Sequence, residues 1–202
     1  MKKPALTRTS LSSNIKQRWS PRAFDTKKEI EYEKLLAICE AAQWAPSSAG
    51  DEPWRFIIFN RYDNEKSWSM ALKTLDEYNQ VWVINAPVII ACLADKFWRK
   101  DRNKKNRWSM HDAGAASENL HLEAVNQGLI THPMGGFNND EFRTLFEITE
   151  EYDIVSMIAV GYPGEQDVLD EFNRKREKSE RKRRKLSELF YNSEFGKAYF
   201  ID

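Results

Sequence analysis

The chain has 202 residues, 41% hydrophobic and 31% charged, with 31 Lys and Arg against 31 Asp and Glu. That length can bury a core as one domain, and the zero net charge argues against a protein coated in positive charge for nucleic acid, though not against local basic patches. No apolar run reaches the roughly 20 residues that span a bilayer, and Met1 to Ser13 lacks the apolar centre of a secretory signal, so a cytoplasmic location is expected.

In chain order, an N-terminal arm of about residues 1–17 leads into Arg18-Trp19-Ser20-Pro21-Arg22. Two guanidinium groups flank a hydroxyl and suit phosphate oxygens, although a flexible basic arm reads the same way. Ile30 to Trp44 has apolar residues at helical spacing. Pro46 ends that pattern, and Ser47, Ser48, Ala49 and Gly50 form a loop of small residues that lets backbone approach a flat ligand. Trp54 to Phe59 reads as a short buried strand. A second helix is expected from about Asn64 to Asn79, and Val88 to Ala94 as an interior strand.

Lys96 to Arg107 is basic but carries Phe97 and Trp98, with Trp108 just beyond. It reads either as a mobile segment or helix over a pocket, with Trp98 and Trp108 on the pocket wall, or as a solvated excursion. His111 to Gln127 is expected as a long helix, apolar on two sides and capped by Gly128. In a chain this small, one of those sides suits a subunit interface. Gly128 to Phe137 contains Pro133-Met134-Gly135-Gly136, whose glycines can present backbone N–H groups to a ligand. Asn139 to Ile148 is a short helix capped by Asn139, and Ile154 to Val160 a third buried strand. The stretch 174–185 carries nine basic and two acidic residues, and 186–202 forms a C-terminal arm. Cys39 and Cys92 read as buried reduced thiols, and the three histidines lack metal-ligand spacing.

The order R-x-S-x-R, then A-P-S-S-x-x-x-x-P-W after a helix, then a helix ending in Gly128-Leu129 and running into P-M-G-G resembles the FMN-dependent nitroreductases. Ile158 to Pro163 and Arg183-Arg184-Lys185-Leu186 resemble later elements of the same family, so the likeness runs from Arg18 to Leu186. It implies an α+β fold: one three-layer α/β/α domain over 1–202, a mixed and mainly antiparallel sheet, and a C-terminal arm exchanged in a homodimer. It also implies FMN contacts from Arg18, Trp19 and Ser20, with Arg22 at the pyrimidine edge and Arg183 as a second phosphate cation. Pro46, Ser47, Ser48 and Gly50 would reach the flavin from the partner subunit, and Pro133, Met134, Gly135 and Gly136 would lie along the ring.

The activity implied is hydride transfer from NADH or NADPH through the flavin to a small-molecule acceptor such as a nitroaromatic or quinone. No side-chain acid or base, metal, nucleic acid or membrane enters that scheme. The chain departs from the pattern at Gly50 and Glu52, where many relatives carry Asn and Gln, and at Lys185, where Pro is usual. A carboxylate at Glu52, if near the ring, would disfavour a negatively charged reduced flavin. Three alternatives stand beside this reading: a specialised relative acting in flavin destruction or dehalogenation, a non-catalytic flavin binder, and a nucleic-acid module using Arg174 to Lys185.

Overall fold

The computed structural model describes residues 1–201. Its main sheet has the order β1-β2-β6-β5, formed by β1 (Trp54–Asn60), β2 (Val88–Asp95), β5 (Ile130–Met134) and β6 (Tyr152–Gly161). A separate two-stranded hairpin pairs β3 (Phe97–Trp98) with β4 (Asp101–Lys105). The helices are α1 (Ser13–Gln17), α2 (Tyr32–Gln43), α3 (Glu65–Lys73), α4 (Glu77–Val83), α5 (Ser109–Asn126), α6 (Asn139–Leu145) and α7 (Glu171–Lys178).

Strand β2 is buried along its whole length, and its alternation builds two cores. Val88, Ile90, Cys92 and Ala94 pack with Ile38 of α2 and with Ala113, Ala116, Leu120 and Ala124 of α5. Ile89, Ala91 and Leu93 face the other way, onto Trp68 and Leu72 of α3, Trp82 of α4 and Phe142 of α6. Helices therefore cover both faces of one sheet, as the sequence implies. A bulge between Cys92 and Leu93 keeps the two faces in register along β6.

Several expectations are corrected. All three pairings in the main sheet are antiparallel, so the parallel part of a mixed sheet is not among the described strands. Strand β1 lies at the sheet edge, with Arg55 and Ile58 exposed rather than buried. The expected helix 64–79 is two helices. Its break is held by Leu75 bridging Phe137, by Asn138 N–H donating to the Thr74 carbonyl (2.7 Å), and by Asp76 N–H donating to the Gly136 carbonyl (3.1 Å). These peptide groups find partners across the fold instead of along the helix. Lys96 to Arg107 is the β3–β4 hairpin and not a helix. Residues 130–134 are a strand, with Pro133 tolerated because β5 is an edge. Asn138, not Asn139, caps α6 by accepting from Glu141 N–H at 3.1 Å.

Gly128, at φ +74°, ends α5 as expected. The N-terminal arm contains α1, and Met1 to Pro4 lie along a cavity beside Trp19. The C-terminal arm, described to Ile201, folds back through a Tyr191–Ala198 bridge and leaves Phe195 and Ile201 almost fully exposed. No helix among the described residues is long and apolar enough to cross a membrane.

Candidate functional site

Residues 18–24 run extended between the two ends of the chain. Arg18 closes α1 through its N–H to the Asn14 carbonyl (2.8 Å), and Phe24 bridges Pro163 beyond β6. Two contacts fix the stretch between them. The Pro21 carbonyl lies 3.0 Å from His132 Nδ1 on β5. Glu177 of α7 takes the Arg22 N–H on Oε2 at 3.0 Å, while its own carbonyl accepts from Lys3 Nζ at 2.6 Å. Glu177 is 2% exposed. Burial raises its carboxyl pKa, opposed by the backbone N–H groups of Arg22 and Ala23 and by the Arg22 charge.

This stretch lines a cavity of about 210 Å³ with Lys3, Arg18, Trp19, Ser20, Arg22, Arg176, Ser179, Glu180, Arg181 and Arg183. Six cations and two hydroxyls thus meet one acid. Arg22 is held below its usual pKa first by burial, with the nearby Arg176 charge adding to it. Arg181 is lowered by burial and then by Arg18 and Arg183. Arg22 Nε is buried with no hydrogen-bond partner. Like charges gathered in a concave site, with a buried donor left over, fit an incoming phosphate monoester. Arg18 is only loosely engaged, its Nε 3.6 Å from Glu118.

Two imidazoles lie near Arg18 and Arg22. His121 lies 2.9 Å from Thr131 Oγ1, and burial with the Arg18 charge pushes its pKa down to about 4. Burial and the Arg22 charge push His132 to about 4 as well. Both are neutral at pH 7, so they add no charge to the cluster.

The Pro133–Gly136 segment joins the same neighbourhood through α4. Met134 is buried, Pro133 and Gly135 are exposed, and the Gly136 carbonyl accepts from Asn79 Nδ2 at 3.0 Å. A Cβ on Gly136 would sit 2.4 Å from Asp76 Oδ2 and 2.9 Å from Asn79 Nδ2, so a larger residue there must displace those side chains. One turn on, Tyr78 bonds Arg176 and the Trp82 ring lies 5.7 Å from the Arg22 guanidinium.

The loop Pro46, Ser47, Ser48 and Gly50 is elsewhere and does not line this cavity. Its backbone is strained at Ala49 and Glu52, with φ of 54° and 50°, while Gly50 takes φ 63° without strain. It is held by Ser48 N–H donating to Asp112 Oδ2 (2.9 Å) and by Glu52 N–H donating to Ser47 Oγ (3.1 Å). Asp51, buried, ties it to the hairpin by accepting from Arg99 N–H and Asn106 Nδ2, both at 2.9 Å. Trp98 faces a depression beside Ala49, whereas Trp108 is exposed at the start of α5.

Within one chain, then, Arg18, Trp19, Ser20, Arg22 and Arg183 share a cavity, Pro133 to Gly136 are tied to α4, whose Tyr78 bonds Arg176 of that cavity, and Pro46 to Gly50 do not line it. The sequence reading missed Lys3, Arg176, Glu177, Arg181 and Asp51. Asp170 was the available signal for α7, since its carboxylate caps the helix by accepting from Asn173 N–H at 2.8 Å. Nothing local marked Lys3, which arrives from the far end of the chain.

The nitroreductase family pattern matches residues 15–162. "Putative NAD(P)H nitroreductase YdgI" of Bacillus subtilis (strain 168) is 24% identical over 182 residues, covering 73% of this chain and 85% of that protein. A crystal structure of an oxidoreductase containing FMN superposes with a TM-score of 0.88 at 28% identity, covering 95% of this chain and 96% of the other. An FMN-dependent nitroreductase from Clostridium difficile R20291 gives a TM-score of 0.61 at 26% identity, covering 77% of this chain and 88% of its own.

Proposed function

The chain belongs to the nitroreductase family, and from that premise we propose that it is a cytoplasmic NAD(P)H-dependent oxidoreductase that holds FMN between two copies of itself. The observation that carries this is the cation cavity around Ser20, with its buried, unpartnered Arg22 Nε. FMN, when bound, supplies the centre that takes up and passes on a hydride.

The chain's own residues bind and orient. Arg18, Ser20 and Arg183 hold the phosphate through charge-assisted hydrogen bonds. Arg22, fixed through its backbone by Glu177, brings a permanent positive charge to the pyrimidine edge, where it favours negative charge on the reduced ring. Trp19 walls the cavity, and Pro133 to Gly136 lie along the ring, with Gly136 packed closely against the Asp76 side chain. No side-chain acid or base is required of the protein.

The partner subunit would supply Pro46, Ser47, Ser48 and Gly50. Two features support a composite site: the loop is rigidly held yet remote from its own chain's cavity, and the C-terminal arm leaves Phe195 and Ile201 exposed. The acceptor class is a small electrophile such as a nitroaromatic or quinone. The rival nucleic-acid reading loses support because Arg176, Arg181 and Arg183 converge on one small cavity instead of spreading over a surface.

The test is the visible spectrum of the purified protein, with chromatography of whatever heat releases. A yellow protein yielding about one FMN per chain, bleached anaerobically by NAD(P)H, is the expected result. A protein that stays colourless after incubation with FMN overturns the reading.

A further inference from the structure

The β3–β4 hairpin is a second basic element, and the FMN-binding assignment leaves it unused. Residues 96–107 carry seven Lys and Arg and one acid. Two of the cations are neutralised at the hairpin's root: Lys96 pairs with Asp153 at 3.3 Å, and Arg102 pairs with Asp95 at 2.6 Å and Glu151 at 3.1 Å. Arg99, Lys100, Lys104, Lys105 and Arg107 have no ion-pair partner among the described residues. Three of these five, Arg99, Lys100 and Lys104, line one depression of about 230 Å³, with Trp98 as its aromatic wall.

The acids there are Asp101 and Asp51. Asp101 takes the Asn103 N–H, and buried Asp51 is occupied by Arg99 N–H and Asn106. Arg99 also donates from its guanidinium to the Gly50 carbonyl at 3.3 Å. The depression is therefore built onto the Pro46–Gly50 loop. If that loop meets the flavin of the other subunit, the depression opens beside the hydride-transfer site.

An indole that can stack on a base, ringed by cations lacking ion-pair partners, suits an adenosine carrying an extra phosphate. We propose that this depression receives the adenosine 2′-phosphate of NADPH and makes the enzyme prefer NADPH over NADH. The inference rests on the flavoenzyme reading for the position of the loop. It needs nothing from that reading for the binding of the nucleotide itself.

The experiment has two arms on the full-length protein. The first is calorimetric binding of 2′,5′-ADP and 5′-AMP, with no turnover involved. The second is kcat/KM for NADPH and NADH. The parent should bind 2′,5′-ADP about tenfold or more tightly than 5′-AMP, and should favour NADPH by a similar factor. The doubly substituted Lys100→Ala/Lys104→Ala protein should lose most of both preferences at unchanged Tm and NADH kinetics. Lys105→Ala, outside the depression, should keep them. Trp98→Ala should weaken both nucleotides alike.

Equal binding of the two nucleotides by a yellow parent protein overturns the inference and spares the flavoenzyme reading. A colourless protein that still selects 2′,5′-ADP does the reverse. Loss of preference in Lys105→Ala as large as in the double variant, or a change confined to the KM of an anionic acceptor, also overturns it.

Discussion

Residues 174–185 hold nine Lys and Arg against two acids, and residues 96–107 hold seven against one. In the first region α7 turns its one buried acid inward. Glu177 clamps the Arg22 backbone, so that Arg176, Arg181 and Arg183 close with Arg18 and Arg22 around one cavity. In the second, two buried acids, Asp51 of the neighbouring loop and Asp95 at the end of β2, fasten the hairpin by its base while Lys100, Lys104 and Lys105 project into solvent. Composition is nearly the same, yet the first gathers cations, with Arg18, Arg22 and Arg181 partly buried, into a candidate phosphate cradle, and the second sets exposed ones on the rim of a depression. The placement of the buried carboxylates decides which. Partly buried cations gain strength from a lower local dielectric, whereas exposed ones are screened by salt.

The largest expected effect breaks the first clamp. Glu177→Ala leaves the Arg22 N–H without its acceptor and should cost about 3 kcal/mol in urea unfolding, with FMN affinity falling too. Glu177→Gln, which keeps an acceptor, should recover part of that loss. Stability equal to the parent in the Ala variant would remove the clamp from the argument.

Acid probes the same region. His121 is neutral in the fold with a pKa of about 4, below its unfolded value of about 6.5. The unfolded chain then binds more protons between those values, so stability falls as pH drops from 6.5 towards 4, by about 2 kcal/mol at pH 5. Glu177 acts in the opposite sense. Its raised pKa makes its contribution greatest at low pH and weaker as pH rises above its ordinary carboxyl value. His132, lowered to about 4 as well, contributes alike, so equilibrium unfolding across pH should show the slope of both histidines, and His121→Gln should about halve it. A slope unchanged by that replacement would place the titrating group elsewhere.

Breaking the second clamp should do less. Asp51→Ala leaves Asn106 Nδ2 and the Arg99 N–H without their acceptor and should cost about 1–2 kcal/mol, with amide exchange accelerated in 96–107 and not in 174–185. Protection lost equally in both regions would mean that they are one cooperative unit. The smallest effect sharpens the contrast through salt. Raising ionic strength should weaken binding of 2′,5′-ADP at the rim more, in proportion, than binding of FMN in the cradle, a ranking that calorimetric titrations at low and high salt can reverse or uphold.

Much of this was legible in the sequence. Apolar spacing located α2, α5 and the strands β1, β2 and β6 because each carries its own periodicity. The break at Thr74 to Asp76 was not, since it depends on peptide groups 136–138 from a distant segment. Strand β5 escaped because Pro133 masks it, and the hairpin because its charges hide a two-residue aromatic strand. Arg18, Ser20, Arg22 and Arg183 could be named in advance from motif order, and one cavity now joins them. Lys3, Glu177 and Asp51 could not, because each acts through a fold-dependent contact that no short pattern records.

The phosphate cradle itself is tested most directly by comparing FMN with riboflavin, which lacks only the phosphate, in calorimetric titrations of the apoprotein. FMN should bind at least about 100-fold more tightly, and Arg18→Ala or Arg183→Ala should narrow that gap by about tenfold each while leaving riboflavin unchanged. Equal affinity for the two flavins would contradict the assignment of the cavity around Ser20 to a phosphate.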